Sequence, residues 1–136
     1  MVNSQKRYFE PIAPDVERVG KIVLDAAYKV YTVLGPGLLE SVYEIAMLHV
    51  LRKGGTLVET QVVLPIMFEG ETLESGLRLD MRVEKSVIVE LKAVEIMNPV
   101  YEAQLMTYLR LSGIRLGFLF NFSVPHLKNG IKRMVV

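Results

Sequence analysis

Between Lys53 and Val58 the hydrophobic period of the chain changes, and that change limits the folds open to it. Upstream, Val16, Val19, Ile22, Val23, Ala26, Ala27, Val30 and Val33 recur at spacings of three and four. Such spacing puts them on one stripe of a helix, and Pro14-Asp15 suits its start. Gly35-Pro36-Gly37 stops it. Leu39, Val42, Tyr43, Ala46, Met47, Val50 and Leu51 repeat the pattern in a second helix from about Leu38 to Lys53. Gly54-Gly55 closes that helix, with Arg52 and Lys53 favourably placed at its negative end.

Downstream the pattern belongs to strands. Val58 to Phe68 is rich in β-branched residues, Glu69-Gly70-Glu71 reads as a turn, and Thr72 to Val83 carries the chain back. Leu77, Leu79, Met81 and Val83 alternate with Arg78, Asp80, Arg82 and Glu84, a two-residue period. Val87 to Val94 is a third strand whose apolar start predicts a central position. Asn98-Pro99 opens a third helix to about Leu111, with Asn98 as cap and Pro99 at the first turn. Arg115 to Phe122 and Gly130 to Val136 read as two more strands, joined by a loop over residues 123–129. The order α-α-β-β-β-α-β-β predicts an α/β fold: a mixed sheet flanked by helices.

With 136 residues, half of them hydrophobic, one domain is expected over residues 14–136, preceded by a loose tail of residues 1–13. Sixteen basic and fifteen acidic side chains give a net charge of +1, so net charge neither favours nor disfavours a polyanionic partner. There is no cysteine, which excludes disulfides and thiolate chemistry. Two distant histidines, His49 and His126, cannot build a multi-imidazole zinc site. The opening residues have no apolar core of the kind a signal peptide carries, and no 18-residue apolar run offers a membrane span. The expected protein is cytoplasmic, with no membrane association and no small organic cofactor.

The best candidate for chemistry is Ile88-Val89-Glu90-Leu91-Lys92. In a strand Glu90 and Lys92 share one face, and Val89 and Leu91 the other. A three-residue turn at Glu84-Lys85-Ser86 pairs Val83 with Val87, and the same register sets Asp80 opposite Glu90 and Arg78 opposite Lys92. Two facing carboxylates repel unless a positive group lies between them. A divalent cation is the simplest such group, and oxygen ligands suit Mg²⁺, with Mn²⁺ as a substitute. The pattern equally describes a strand with one wet face. On the helices, Glu40, Tyr43 and Glu44 lie at helical spacing, as do Tyr101, Gln104 and Tyr108. Gln104 sits among apolar residues and has an amide to satisfy.

Several ordered motifs resemble the GxxExxY protein family, a branch of the PD-(D/E)XK nuclease superfamily. They are Gly37-Leu38-Leu39-Glu40-Ser41-Val42-Tyr43; Leu79-Asp80 followed by Val89-Glu90-Leu91-Lys92; Glu102-Ala103-Gln104 through Tyr108-Leu109-Arg110; and Gly117 through Asn121-Phe122 with Gly130 to Arg133. Leu79 stands where the superfamily's nominal proline precedes the aspartate. The resemblance covers nearly everything after residue 15 and implies a restriction-endonuclease-like core. It implies that Asp80 and Glu90 hold Mg²⁺, that Glu40 completes the metal environment, and that Lys92 assists the attacking water. Gln104 and Tyr108 would line the same cleft. The implied activity is metal-dependent hydrolysis of phosphodiester bonds, in DNA rather than RNA, with endo or exo cleavage open. The alternative is an inactive nucleic-acid-binding or protein-assembly module that keeps the fold.

Positive charge bears on the partner. Arg78, Arg82, Lys85 and Lys92 cluster around the candidate site in sequence, and Arg110, Arg115, Lys128, Lys132 and Arg133 follow. Such side chains could contact a phosphate backbone. A domain of this size makes few contacts alone, which suggests a homodimer.

Overall fold

The structure, a computed structural model, describes residues 10–136; the first nine residues of the expected tail lie outside the described residues. The elements are α1 (Pro14–Leu34), α2 (Glu40–Lys53), β1 (Val58–Phe68), β2 (Glu71–Val83), β3 (Val87–Lys92), α3 (Val100–Ser112), β4 (Leu116–Asn121), a 3₁₀ turn (Leu127–Gly130) and β5 (Ile131–Val135). The expected order holds, with the 3₁₀ turn added inside the last loop. Among the described residues no helix is long and apolar enough to cross a membrane.

The five strands lie side by side in chain order. β1, β2 and β3 are antiparallel, β3 and β4 are parallel, and β5 is antiparallel to β4. α3 is the crossover that the parallel β3–β4 pair requires. Asn98 caps it as expected, its Oδ1 accepting from the Val100 amide at 3.0 Å, although Pro99 is the cap residue proper. β3 is central, and Val87, Ile88, Val89 and Leu91 are fully buried.

Two cores sandwich the sheet. On one face Val19, Val23, Ala27 and Val30 of α1 and Tyr43, Met47 and Leu51 of α2 pack on Val89, Leu91, Phe118 and Phe120. On the other, Leu105 and Leu109 of α3 pack on Leu64, Leu79, Ile88 and Leu119. The helical stripes are narrower than their sequence suggests. Val33 and Leu39, expected in the stripes, are 75% and 74% exposed, because both lie at the α1–α2 turn, beyond the sheet's reach. Next to α1, Arg115 donates to the carbonyls of Glu10 (2.6 Å) and Pro11 (3.3 Å).

A second departure matters more for the site. The unbroken alternation of Leu77, Leu79, Met81 and Val83 implies one shared face. Instead Leu77 and Leu79 pack in the α3 core, and Met81 and Val83 in the α1/α2 core. β1 changes face in step: Val58 lies in the second of these, Val62 and Leu64 in the first. The change falls at Asp80 in β2 and at Gln61 in β1, whose φ is 51°. Left-handed backbone at a non-glycine residue costs energy and persists only where its surroundings impose it. The Gln61 side chain donates through Nε2 to both carboxylate oxygens of Glu44 on α2, at 3.1 and 3.4 Å.

Candidate active site

The β2–β3 turn is the expected three-residue one, with Glu84 and Lys85 at positive φ and Val83 paired with Val87. The ladder runs Val83↔Val87, Arg82↔Ile88, Met81↔Val89 and stops there. At the point where β2 changes face, side chains replace ladder bonds. The Asp80 amide donates to Glu90 Oε1 at 3.2 Å, and the Leu91 amide donates to Asp80 Oδ2 at 2.8 Å. Asp80 and Glu90 therefore face each other, as their register predicts, across a parting strand pair. Arg78 does not meet Lys92, because the ladder has already ended; it pairs with Val63 of β1 instead.

Glu90 is 7% exposed. Burial, then the charge of Asp80 and a hydrogen bond with it, push its carboxyl up to about 9; the Asp80 amide and Lys92 oppose this more weakly. At neutral pH Glu90 keeps its proton unless a cation replaces it. A facing carboxyl pair, each member with an oxygen bound to a backbone amide, is a fitting donor set for one hard cation. Mg²⁺ binds through one or two carboxylates and keeps several waters. Among the described residues no three histidines or carboxylates converge as a complete metal cage, so Glu40 does not join the pair at direct-ligand geometry.

The other expected residues arrange themselves around this pair. Glu40 is the first residue of α2. Partial desolvation raises its carboxyl; Lys92 opposes this, and Asp80 and Glu44 add to it, so the glutamate senses the far side of the cleft. Lys92 Nζ lies 4.4 Å from the centre of the Tyr101 ring, a cation–π contact that holds the ammonium over α3. The phenol of Tyr108 is raised by burial and then by the charges of Glu90 and Asp80, which puts it within their field. Gln104 is exposed on α3, where water can satisfy its amide.

The basic residues do not converge as their sequence positions suggest. Arg82 is spent on Glu59, opposite it in β1, with contacts of 2.7 and 2.9 Å. Lys85 follows the other end of the sheet, before β3 begins, whereas Lys92 ends that strand. Arg133 pairs with Glu17, Lys132 reaches Glu102 at 3.7 Å, and Arg115 binds the carbonyls of Glu10, Pro11 and Val136.

Asn121, which closes one of the motifs, supports the site through the backbone. It is 2% exposed, at the end of β4. Its Oδ1 accepts from Val94 N and Ser123 N, both at 3.1 Å, and its Nδ2 donates to Val94 O at 2.9 Å. It thus fixes the chain two residues beyond Lys92. The available signal was a lone amide closing a buried apolar strand, where it must find partners. Gly130 passes so close that a Cβ there would lie 2.2 Å from the Asn121 carbonyl oxygen.

A mixed five-stranded sheet between helices, with two facing carboxylates and a lysine at the parting of its strands, is the restriction-endonuclease-like arrangement. Residues 17–134 match the PD-(D/E)XK nuclease superfamily, and the chain belongs to it. No curated protein and no solved structure matches the chain.

Proposed function

We propose that the protein is a Mg²⁺-dependent nuclease that hydrolyses phosphodiester bonds in DNA, and that within its superfamily it is of the GxxExxY kind. The observation that carries the reading is the facing Asp80–Glu90 pair, each carboxyl bound by a backbone amide across the strands, with Glu90 buried and its carboxyl pushed up to about 9. Asp80 and Glu90 hold the ion, and Glu40 reaches it through water. The chemistry such an ion supplies is water activation at neutral pH and neutralisation of charge on a phosphoryl oxygen.

The chain's own residues do the rest. Lys92, at the end of the same strand, orients the attacking water or balances charge developing on the phosphate. Its contact with Tyr101 keeps the ammonium beside the carboxylates rather than paired with them. Tyr108 and Gln104, on the α3 side of the cleft, offer a hydroxyl and an amide to the phosphate or to its water. With Arg82, Arg115, Lys132 and Arg133 already bound within the fold, Arg78, Lys85, Lys92, Arg110 and Lys128 are the named cations left to grip the backbone. A homodimer would double them.

The test is incubation of the purified protein with linear, circular and single-stranded DNA and with RNA, in Mg²⁺, Mn²⁺ or EDTA. We expect DNA cleavage in either metal and none in EDTA. Undiminished cleavage in EDTA would rule the mechanism out.

A further inference from the structure

The tyrosine of the Gly37-x-x-Glu40-x-x-Tyr43 motif has no part in the chemistry above, yet its side chain is fully buried and engaged at both ends. Tyr43 is 0% exposed. Its hydroxyl donates to the Gly35 carbonyl at 2.6 Å and accepts from the Leu38 amide at 3.2 Å. Both partners lie in the turn between α1 and α2. That turn needs holding: Gly35 and Gly37 have φ of 66° and 97°, conformations glycine adopts without penalty, and a Cβ at either would touch nothing. Glu40 follows directly as the first residue of α2.

The ring of Tyr43 faces the other way. It stacks on Phe122 with centroids 4.4 Å apart and planes 7° from parallel. The Phe122 amide in turn donates to the carbonyl of Lys92 at 2.9 Å. One side chain thus joins the turn that precedes Glu40 to the backbone of Lys92. A phenylalanine would fill the same space and make the same stack. What the tyrosine adds is the hydroxyl, and both its bonds go to the turn.

The geometry points to Tyr43 as a positioning residue: its hydroxyl fixes the turn from which Glu40 opens α2, and its ring ties that turn to the strand carrying Lys92. The role of Glu40 in metal binding rests on the function proposed above; the placement of Glu40 by Tyr43 does not.

The experiment uses Tyr43→Phe, Glu40→Gln, the double variant, and Phe122→Leu as a second way to break the link. In one arm, without metal, the carboxyl ¹³C signal of Glu40 is followed by NMR with and without Asp80→Asn. We expect this signal to respond to Asp80→Asn in the parent chain and to lose that response in Tyr43→Phe and Phe122→Leu. A tyrosine that only stabilised the core would leave the response intact. In the other arm Mn²⁺ affinity is measured calorimetrically. Tyr43→Phe should weaken it about tenfold, as Glu40→Gln does, with no further loss in the double variant. A Glu40 response that survives in Tyr43→Phe, or weakening that adds in the double variant, overturns the proposal. Should the parent chain bind no Mn²⁺, the metal reading falls while the NMR arm still decides the placement of Glu40.

Discussion

Glu90→Gln should abolish cleavage and at the same time make the metal-free protein less sensitive to alkaline pH. The two effects have one cause. In the folded chain the Glu90 carboxyl is pushed from 4.5 up to about 9, by burial first and by Asp80 second. The folded state therefore holds a proton that the unfolded state releases between those values. Stability from this proton is complete below the ordinary carboxylate range and is lost as pH rises towards about 9. The loss is on the order of a few kcal/mol, or roughly 10 °C in thermal midpoint. Glutamine mimics the protonated acid: its oxygen can accept from the Asp80 amide, and its NH₂ can donate to the Asp80 carboxylate. Thermal melts of the metal-free variant from pH 6 to 9 should be nearly level where those of the parent fall. Cleavage should drop by about 1000-fold or more, the scale of a metal's contribution to the transition state. A variant that still cut at the parent rate, or melted with the parent's pH slope, would remove Glu90 from the role assigned to it.

Lys92→Met should also cost cleavage heavily, by about 100- to 1000-fold, but for a different reason. The half-buried stem is replaced by one of similar shape, so the packing against Tyr101 is kept while the charge is lost. Lys92 is one of the groups that hold the Glu90 carboxyl down. Without it Glu90 releases its proton less readily, yet the carboxylates also lose a competing cation. Mn²⁺ affinity should accordingly stay within a few-fold of the parent's, and its pH dependence should move upward. Affinity and turnover thus separate in Lys92→Met and fall together in Glu90→Gln. Parallel kinetics and calorimetry on the two variants read this difference directly. Equal loss of metal binding in both would contradict separate roles.

Much of the fold was legible in the chain because each local signal agreed with the next. The three-residue turn at Glu84 to Ser86 fixed the register of β2 against β3, and with it the meeting of Asp80 and Glu90. The apolar run of β3 told of its central place, and Asn98-Pro99 of the start of α3. What could not be read depends on partners far along the chain. The change of face at Asp80 leaves the alternation of β2 intact in sequence, and no glycine at Gln61 announces its positive φ. The partner of the Gln61 side chain, Glu44, is seventeen residues away on another element. Likewise, nothing local shows that Arg82 is claimed by Glu59 or Arg133 by Glu17, so a cluster of basic residues in sequence looked like a cluster in space. The bracing role of Asn121 within its motif was not legible because its partners, in Val94 and Ser123, are backbone groups.

The parting of the strands gives the site its character. A regular ladder would carry Asp80 and Glu90 as one more cross-strand pair, each amide bound to a carbonyl. Because β2 turns over at Asp80, two amides are left for the carboxylates, and Glu90 is held out of water beside the half-buried Asp80. Burial and mutual repulsion then make Glu90 a weak acid, ready to exchange its proton for a cation.

That exchange can be measured most directly by calorimetric titration of the parent chain and Asp80→Asn with Mn²⁺, in two buffers of different ionisation enthalpy. The account predicts one Mn²⁺ site in the parent near neutral pH, release of close to one proton on binding, and loss of the site in Asp80→Asn. Binding that is unchanged in Asp80→Asn, or no Mn²⁺ binding by the parent at any pH up to 9, would contradict it and leave a nuclease fold without a metal centre at Asp80 and Glu90.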